Sequence, residues 1–295
     1  MPKSQTMPLN FLALQPNQSR LSSSKVVVLP IPYDATTSYR TGTREGPRAL
    51  IEASRYLEEY DSELDLEICK VGIHTADELE PHVGGPGEMV NQIEKTITAY
   101  LKKNKFVATL GGEHTVSLGS VRAHAKQFPD MSVLYLDAHA DLRNEYQGSK
   151  FSHACTARRI TEIVPVVEVG VRSLSSEEHN FITEKQIPVF FREAPHTNQD
   201  SLIEEITEQL STSVYVSLDL DVLDPSIMSA VGTPEPGGMS WEEMTKLLRT
   251  VAKKRHIIGF DINELSPQEG PTACSFTAAK LVYKLIGYSL RLGIK

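Results

Sequence analysis

The chain predicts an α/β fold: one parallel sheet of roughly eight strands covered by helices. Three observations lead there. Short apolar runs such as Val26–Pro30 and Val133–Leu136 read as strands buried on both faces, which is the signature of a parallel sheet. Segments with apolar residues at helical spacing lie between them. The two kinds alternate from end to end, so successive strands are joined by right-handed crossovers. A closed β/α barrel is the second architecture that this order of elements allows.

Residues 1–24 are polar apart from Phe11-Leu12-Ala13-Leu14 and are expected as a flexible, poorly ordered arm. No composition break marks a linker, so residues 25–295 are taken as a single domain. After the first strand, 31–44 reads as a loop at its carboxyl end. Gly46-Pro47 opens a helix running to about Tyr56, because proline is tolerated in a first helical turn. A short strand is expected over 68–73 and a turn over 84–87. The next helix, 88–103, carries Met89, Ile93, Ile97 and Leu101 four residues apart. Strand 106–110, helix 116–128 and strand 133–138 follow, then a long polar loop over 142–152. A helix near 155–163, strand 166–171, helix 175–185, strand 188–191, helix 200–210 and strand 214–219 come next. Pro225, Pro234, Pro236, Gly232, Gly237 and Gly238 make 222–238 a loop. Ser240, with Glu243 three residues on, reads as the capping box of helix 241–254. Strand 257–262 and helix 277–289 complete the chain.

Of the 295 residues, 40% are hydrophobic and 23% charged, an ordinary globular balance that can bury a sizeable core. The net charge of −8 argues against a nucleic-acid-binding surface and mildly favours cationic ligands. Cys69, Cys155 and Cys274 are odd in number and widely spaced, which suggests thiols in a reducing, cytoplasmic setting. No apolar run reaches the ~18–20 residues of a membrane span, and residues 1–25 lack the apolar core of a secretory signal.

Three strand ends carry the chemistry. Phe106–Leu110 opens into Gly111-Gly112-Glu113-His114. Val133–Leu136 runs into Asp137-Ala138-His139-Ala140-Asp141. Val214–Leu218 runs into Asp219-Leu220-Asp221-Val222-Leu223-Asp224-Pro225. If extended geometry continues, 137, 139 and 141 share one face, as do 219 and 221. Ligands of an open parallel sheet bind at the carboxyl ends of its strands. Carboxylates and imidazoles gathered there would be costly to bury alone, and a hard or borderline divalent cation offsets that cost. His114, Asp137, His139, Asp141, Asp219 and Asp221 are enough for two cations if some carboxylates bridge. Solvated carboxylates would explain one such strand end easily, but not three. Glu113 is expected beside a ligand, and Asp224, ahead of Pro225, caps a turn.

These three segments, in order and with spacing intact, resemble the metal signatures of the ureohydrolases, the family of arginases and agmatinases. The Gly232-Thr233-Pro234-Glu235-Pro236-Gly237-Gly238 run is more similar to agmatinases. The resemblance covers about residues 25–290. It implies a three-layer α/β/α fold with an eight-stranded parallel sheet, two Mn²⁺ ions, and hydrolysis of a guanidino group to urea and an amine. Carried over by motif, His114, Asp137, Asp141 and Asp219 hold one ion, and Asp137, His139, Asp219 and Asp221 the other. Glu264, at the end of the last strand, matches the glutamate that grips the guanidinium, a carboxylate facing a planar N–H fork. His153, in Phe151-Ser152-His153-Ala154-Cys155, matches the histidine that passes a proton to the leaving amine. Thr233 is a substrate contact by family position. The remaining histidines, 74, 82, 124, 179, 196 and 256, are assigned no role. Family members form trimers or hexamers, so a homo-oligomer is expected.

Agmatine, giving putrescine and urea, is the expected substrate. Arg143, two residues after Asp141, departs from the arginase pattern, where a small amide stands. A cation in that loop repels agmatine unless Glu145 or another acid pairs with it, and it favours a guanidino acid such as 4-guanidinobutyrate or 3-guanidinopropionate. Arginine and formimidoylglutamate are further alternatives. A metal-binding homologue without activity should lack a ligand, His153 or Glu264, and this chain lacks none.

Overall fold

The computed structural model describes residues 7–192 and 198–292, so His196 lies outside it. The strands are β1 (Val26–Ile31), β2 (Tyr60–Asp61), β3 (Leu66–Glu67), β4 (Ile73–Thr75), β5 (Phe106–Gly111), β6 (Ser132–Leu136), β7 (Val166–Val169), β8 (Val189–Phe190), β9 (Ser213–Asp219) and β10 (His256–Asn263). Eight of them form one sheet in the order β4-β1-β5-β10-β9-β6-β7-β8, every neighbour parallel. The sheet is open, with β4 and β8 at its edges, so the barrel alternative is ruled out. β2 and β3 make a separate small antiparallel pair.

The helices are α1 (Pro16–Ser19), α2 (Gly46–Ser54), α3 (Pro86–Leu101), α4 (Val116–Gln127), α5 (Thr156–Thr161), α6 (Ser176–Lys185), α7 (Gln199–Gln209), α8 (Trp241–Lys254) and α9 (Thr272–Arg291). They cover both faces. Alternate residues of a strand enter different cores: Val26 and Val28 pack on the side of α2, α7, α8 and α9, whereas Val27, Leu29 and Ile31 pack with α3 and α4. In β6, Leu134 and Leu136 face the first side, and Val133 and Tyr135 the second, among residues of α4, α5 and α6. This two-sided burial is why the strands read as unbroken apolar runs. Ser240 accepts from the Glu243 N–H, and the Glu243 carboxylate accepts from the Ser240 N–H, the reciprocal box expected at the start of α8.

The structure departs from the sequence reading in three places. Within the expected arm, Phe11, Leu12 and Leu14 are buried in the main core, where each apolar side chain contributes about 1.5–3 kcal/mol. The strand expected over 68–73 is a 3₁₀ turn, Ile68–Val71, and pairing with β1 begins only at Ile73. Gly72 makes the break: its φ of +77° suits glycine, and a Cβ there would lie 2.8 Å from Ser24 Cα. β6 ends at Leu136, so Asp137 already belongs to the turn beyond it.

Candidate active site

The four central strands β5, β10, β9 and β6 end side by side, and each delivers a titratable group at its carboxyl end. His114 follows β5, Glu264 follows β10, Asp219 closes β9 and Asp137 follows β6. Close backbone approach brings the first two together. The Glu113 N–H donates to Tyr33 O at 2.7 Å and the Glu264 N–H donates to Gly112 O at 2.8 Å. A Cβ on Gly112 would fall 2.1 Å from Tyr33 O, so only glycine permits this turn.

All six expected ligands converge. His114 Nδ1 lies 2.9 Å from Asp137 Oδ2 and 3.5 Å from both Asp141 Oδ2 and Asp219 Oδ2. His139 Nδ1 lies 2.9 Å from Asp221 Oδ2 and 3.6 Å from Asp137 Oδ1. Their donor atoms fall into two trios, His114–Asp137–Asp219 and Asp137–His139–Asp221, each within 4.8 Å. Asp137 is common to both, and Asp141 flanks the first. Strand alternation does not cause this convergence. Asp141 has φ +51°, and Asp221 sits in a 3₁₀ turn, Leu220–Val222, whose start is capped by Asp219 accepting the Asp221 N–H at 2.9 Å. The chain curls back beyond each strand and returns the next acid to the same point.

The electrostatics fit a cation pair. Burial, then Asp137, pushes Asp141 well above the usual carboxylate range, and burial with Asp221 and Asp137 does the same to Asp219. Asp221 is raised by burial and Asp137. Burial would raise Asp137 too, but His114 and His139 outweigh it and hold its carboxyl down. Four buried carboxylates facing two imidazoles have a surplus of negative charge, and the oxygen and nitrogen donors suit hard or borderline divalent ions. The imidazole orientation also fits. Ser217 Oγ donates to Asp261 Oδ1 at 2.9 Å, so it accepts from His114 Nε2 at 3.0 Å, and Nδ1 is the nitrogen turned toward the acids.

The partners of the supporting residues emerge only in the fold. Asp261 is not in the pocket: its carboxylate collects Ser117, Ser217, Tyr215 and Asn263 behind His114. The Tyr135 hydroxyl donates to Asp141 Oδ2 at 2.9 Å, and its ring stacks on His114. Glu113 does not touch a ligand side chain. Its two oxygens accept the Thr36 N–H and hydroxyl at 2.6 and 2.8 Å. Asp224 caps the 222–238 loop, accepting from Ser226, Gly237 and Gly238 N–H groups. Arg172 ties that loop to the ligand turn, donating to Asp221 O at 2.7 Å and Glu235 O at 2.8 Å. Only the Asp-first turn signal of Asp224 was visible from residue type and spacing.

Above the trios lies a cavity of about 210 Å³. His139, Asp141 and Asp219 line it, together with Arg143, His153, Thr233 and Glu264. Every residue expected to act on substrate thus reaches one pocket. Glu264, in the left-handed region at φ +67°, accepts the His114 N–H through Oε1 at 2.7 Å; burial, then Glu113, raises its carboxyl well above the usual value. Burial, then His139, pushes His153 down to about 4. Arg143 Nε lies 3.9 Å from Glu178 Oε2, and its guanidinium sits 5.0 Å from the Tyr146 ring centroid. The paired acid is Glu178, not Glu145. Glu178 is already engaged, accepting from Leu142 N, Ser175 N and Ser175 Oγ.

The model of the arginase family matches residues 24–287. The chain belongs to the arginase family. It is accordingly a hydrolase of the ureohydrolase type, in a family that depends on a pair of metal ions. It is 39% identical to the N(1)-aminopropylagmatine ureohydrolase of Synechocystis over 275 residues, covering 90% of each chain. It is 36% identical to the agmatinase of Pyrococcus horikoshii over 281 residues, covering 92% of this chain and 94% of that one. Among solved structures, the agmatine ureohydrolase of Thermoplasma volcanium superposes with a TM-score of 0.87 at 30% identity, over 97% of this chain and 96% of that one. No helix among the described residues is long and apolar enough to cross a membrane.

Proposed function

We propose that the chain hydrolyses agmatine, or a close analogue extended at one nitrogen, to urea and the corresponding amine; agmatine itself gives putrescine. The observation that carries this reading is the pair of trios sharing Asp137 beneath a pocket walled by Glu264 and His153. The names of the relatives, N(1)-aminopropylagmatine ureohydrolase and agmatinase, support a substrate with an amine tail.

His114, Asp137, Asp141 and Asp219 would hold one ion, and Asp137, His139, Asp219 and Asp221 the other, with Mn²⁺ the proposed metal. Such a pair, when bound, supplies Lewis acidity and makes water a stronger nucleophile at neutral pH. Glu264 faces the guanidinium and takes its N–H groups as a charge-assisted partner. His153, held neutral at rest by its lowered pKa, would take the proton that the attacking water gives up and pass it to the departing amine. Thr233 bounds the substrate from the 222–238 loop. In the same reading the protein is a cytoplasmic homo-oligomer, a trimer or hexamer, formed from one domain over 25–295; its three buried thiols suit a reducing compartment.

A second reading has its own observation. Arg143 lines the pocket, and the acid it pairs with, Glu178, already accepts three other hydrogen bonds, which suits a substrate carboxylate. Steady-state kinetics of the Mn²⁺-loaded enzyme on agmatine, N(1)-aminopropylagmatine, arginine, 4-guanidinobutyrate, 3-guanidinopropionate and formimidoylglutamate, with metal analysis, tests both. The highest kcat/KM is expected on one of the first two. Faster turnover of a guanidino acid overturns the amine reading.

A further inference from the structure

We infer that Ser38 is a positioning residue for His153, so that the loop between β1 and α2 belongs to the apparatus that moves a proton to the leaving group. The inference rests on the proton-transfer role proposed above for His153. Two residues of this loop hold that histidine at opposite ends. Thr36 Oγ1 accepts the backbone N–H of His153 at 2.9 Å, and Ser38 Oγ lies 3.2 Å from the ring Nε2. The partners are more than a hundred positions apart in the chain and meet only in the fold.

The loop is a rigid support. Both oxygens of the fully buried Glu113 are engaged by Thr36, through its N–H at 2.6 Å and its hydroxyl at 2.8 Å. Further along, the buried Asp34 accepts the Gly42 N–H at 2.9 Å and the Arg44 N–H at 3.3 Å, and its carboxylate pairs with the Arg44 guanidinium. Arg40 forms an ion pair with Glu269, beyond β10. Anchored on both sides, Ser38 presents a hydroxyl at the wall of the same cavity that His153 and Glu264 line.

A hydroxyl is one donor and two acceptors. Held beside Nε2, it restrains the ring rotamer and can accept from or donate to that nitrogen, so it serves the ring before and after it gains a proton. A histidine that must meet a leaving nitrogen within hydrogen-bond reach gains from that constraint, because misorientation reduces proton transfer before it weakens binding. Ser38 is exposed, so its removal should not disturb the core.

The test is a double-mutant cycle on Mn²⁺-loaded enzyme with agmatine as substrate. Ser38→Ala is expected to lower kcat about tenfold with KM changed less than about twofold, the size of one lost hydrogen bond. Ser38→Thr, which keeps the hydroxyl, should retain more than about half of kcat. In a His153→Asn background, Ser38→Ala should cost nothing further. Full kcat in Ser38→Ala, or an equal loss in both backgrounds, overturns the inference while leaving His153 in its role. Full kcat in His153→Asn instead overturns that role, and the inference with it.

Discussion

His139→Asn separates the two halves of the proposed metal site. His139 belongs only to the second trio; His114, Asp137 and Asp219 are untouched by the change. Loss of an outer partner alone costs about 10–100-fold in metal affinity, so loss of a donor itself should cost at least about 100-fold. The melting temperature carries that difference. At free metal 100 times the wild-type Kd, one site stabilises by about 2.7 kcal/mol, and a site 100-fold weaker by about 0.4 kcal/mol at the same concentration. At about 2.1 cal/mol/K per residue, the gap of about 2.3 kcal/mol corresponds to ~4 °C in Tm for a chain of 295 residues. The side chain keeps 26% of its exposure, so the metal-free variant should fold. Thermal melts with and without Mn²⁺, metal analysis and turnover are the assay. One equivalent of metal, a metal-induced shift smaller by that amount, and a rate down at least about 100-fold are expected. Two equivalents retained with a wild-type shift and rate would refute the assignment. Asp137→Asn, changing the residue common to both trios, should lose both ions.

Other outcomes follow from the same geometry. Tyr135→Phe removes the hydroxyl that donates to Asp141; hydrogen bonds to charged groups contribute about 1.5–3 kcal/mol, so weaker metal binding is expected in calorimetric titration with the sheet intact by circular dichroism. Glu178→Gln removes the charge nearest Arg143 and leaves one acceptor oxygen where two now serve Leu142 N and Ser175 N; stability should fall by about 1 kcal/mol, and KM for amine-tailed substrates should rise relative to guanidino acids. His124, buried with Nε2 unpartnered and held at about 4 by desolvation, binds a proton more readily when unfolded. Its contribution is complete above pH 6.5 and is lost as pH falls toward 4, up to about 3 kcal/mol in all. Urea midpoints at pH 7 and pH 5 should therefore converge in His124→Leu.

The sheet was legible because both its faces are covered. Val26–Ile31 and Val214–Leu218 declare themselves by composition, and α3 by the four-residue spacing of Met89, Ile93 and Ile97. The candidate donors could be picked out because Asp and His recur at three strand ends, and the structure brings them together. The geometry that joins them was not. It depends on backbone reversals at Asp141, Asp221 and Glu264 that residue type does not signal, since a left-handed aspartate or glutamate has no sequence mark comparable to glycine. Phe11 and Leu14 were missed because so short an apolar patch specifies no partner until α2 and β4 provide one. Glu178 was hidden by serving two ends at once, as the capping residue of α6 and as the acid nearest Arg143. Ser38 is an ordinary loop serine until the chain folds.

Glu264 gives one oxygen to the backbone amide of His114, which leaves a single oxygen facing the pocket. In the role proposed for Glu264, a guanidinium arriving there would be met from one side, and the arm that would meet it is fastened to the turn that presents the His114 imidazole. Anything that tightens that turn, occupancy of the neighbouring acids above all, steadies the receptor for the incoming group. By reciprocity, a bound guanidinium would then raise the affinity for the ions by the same factor that the ions raise its own. Loading and recognition in this chain are thus two readings of one shared constraint.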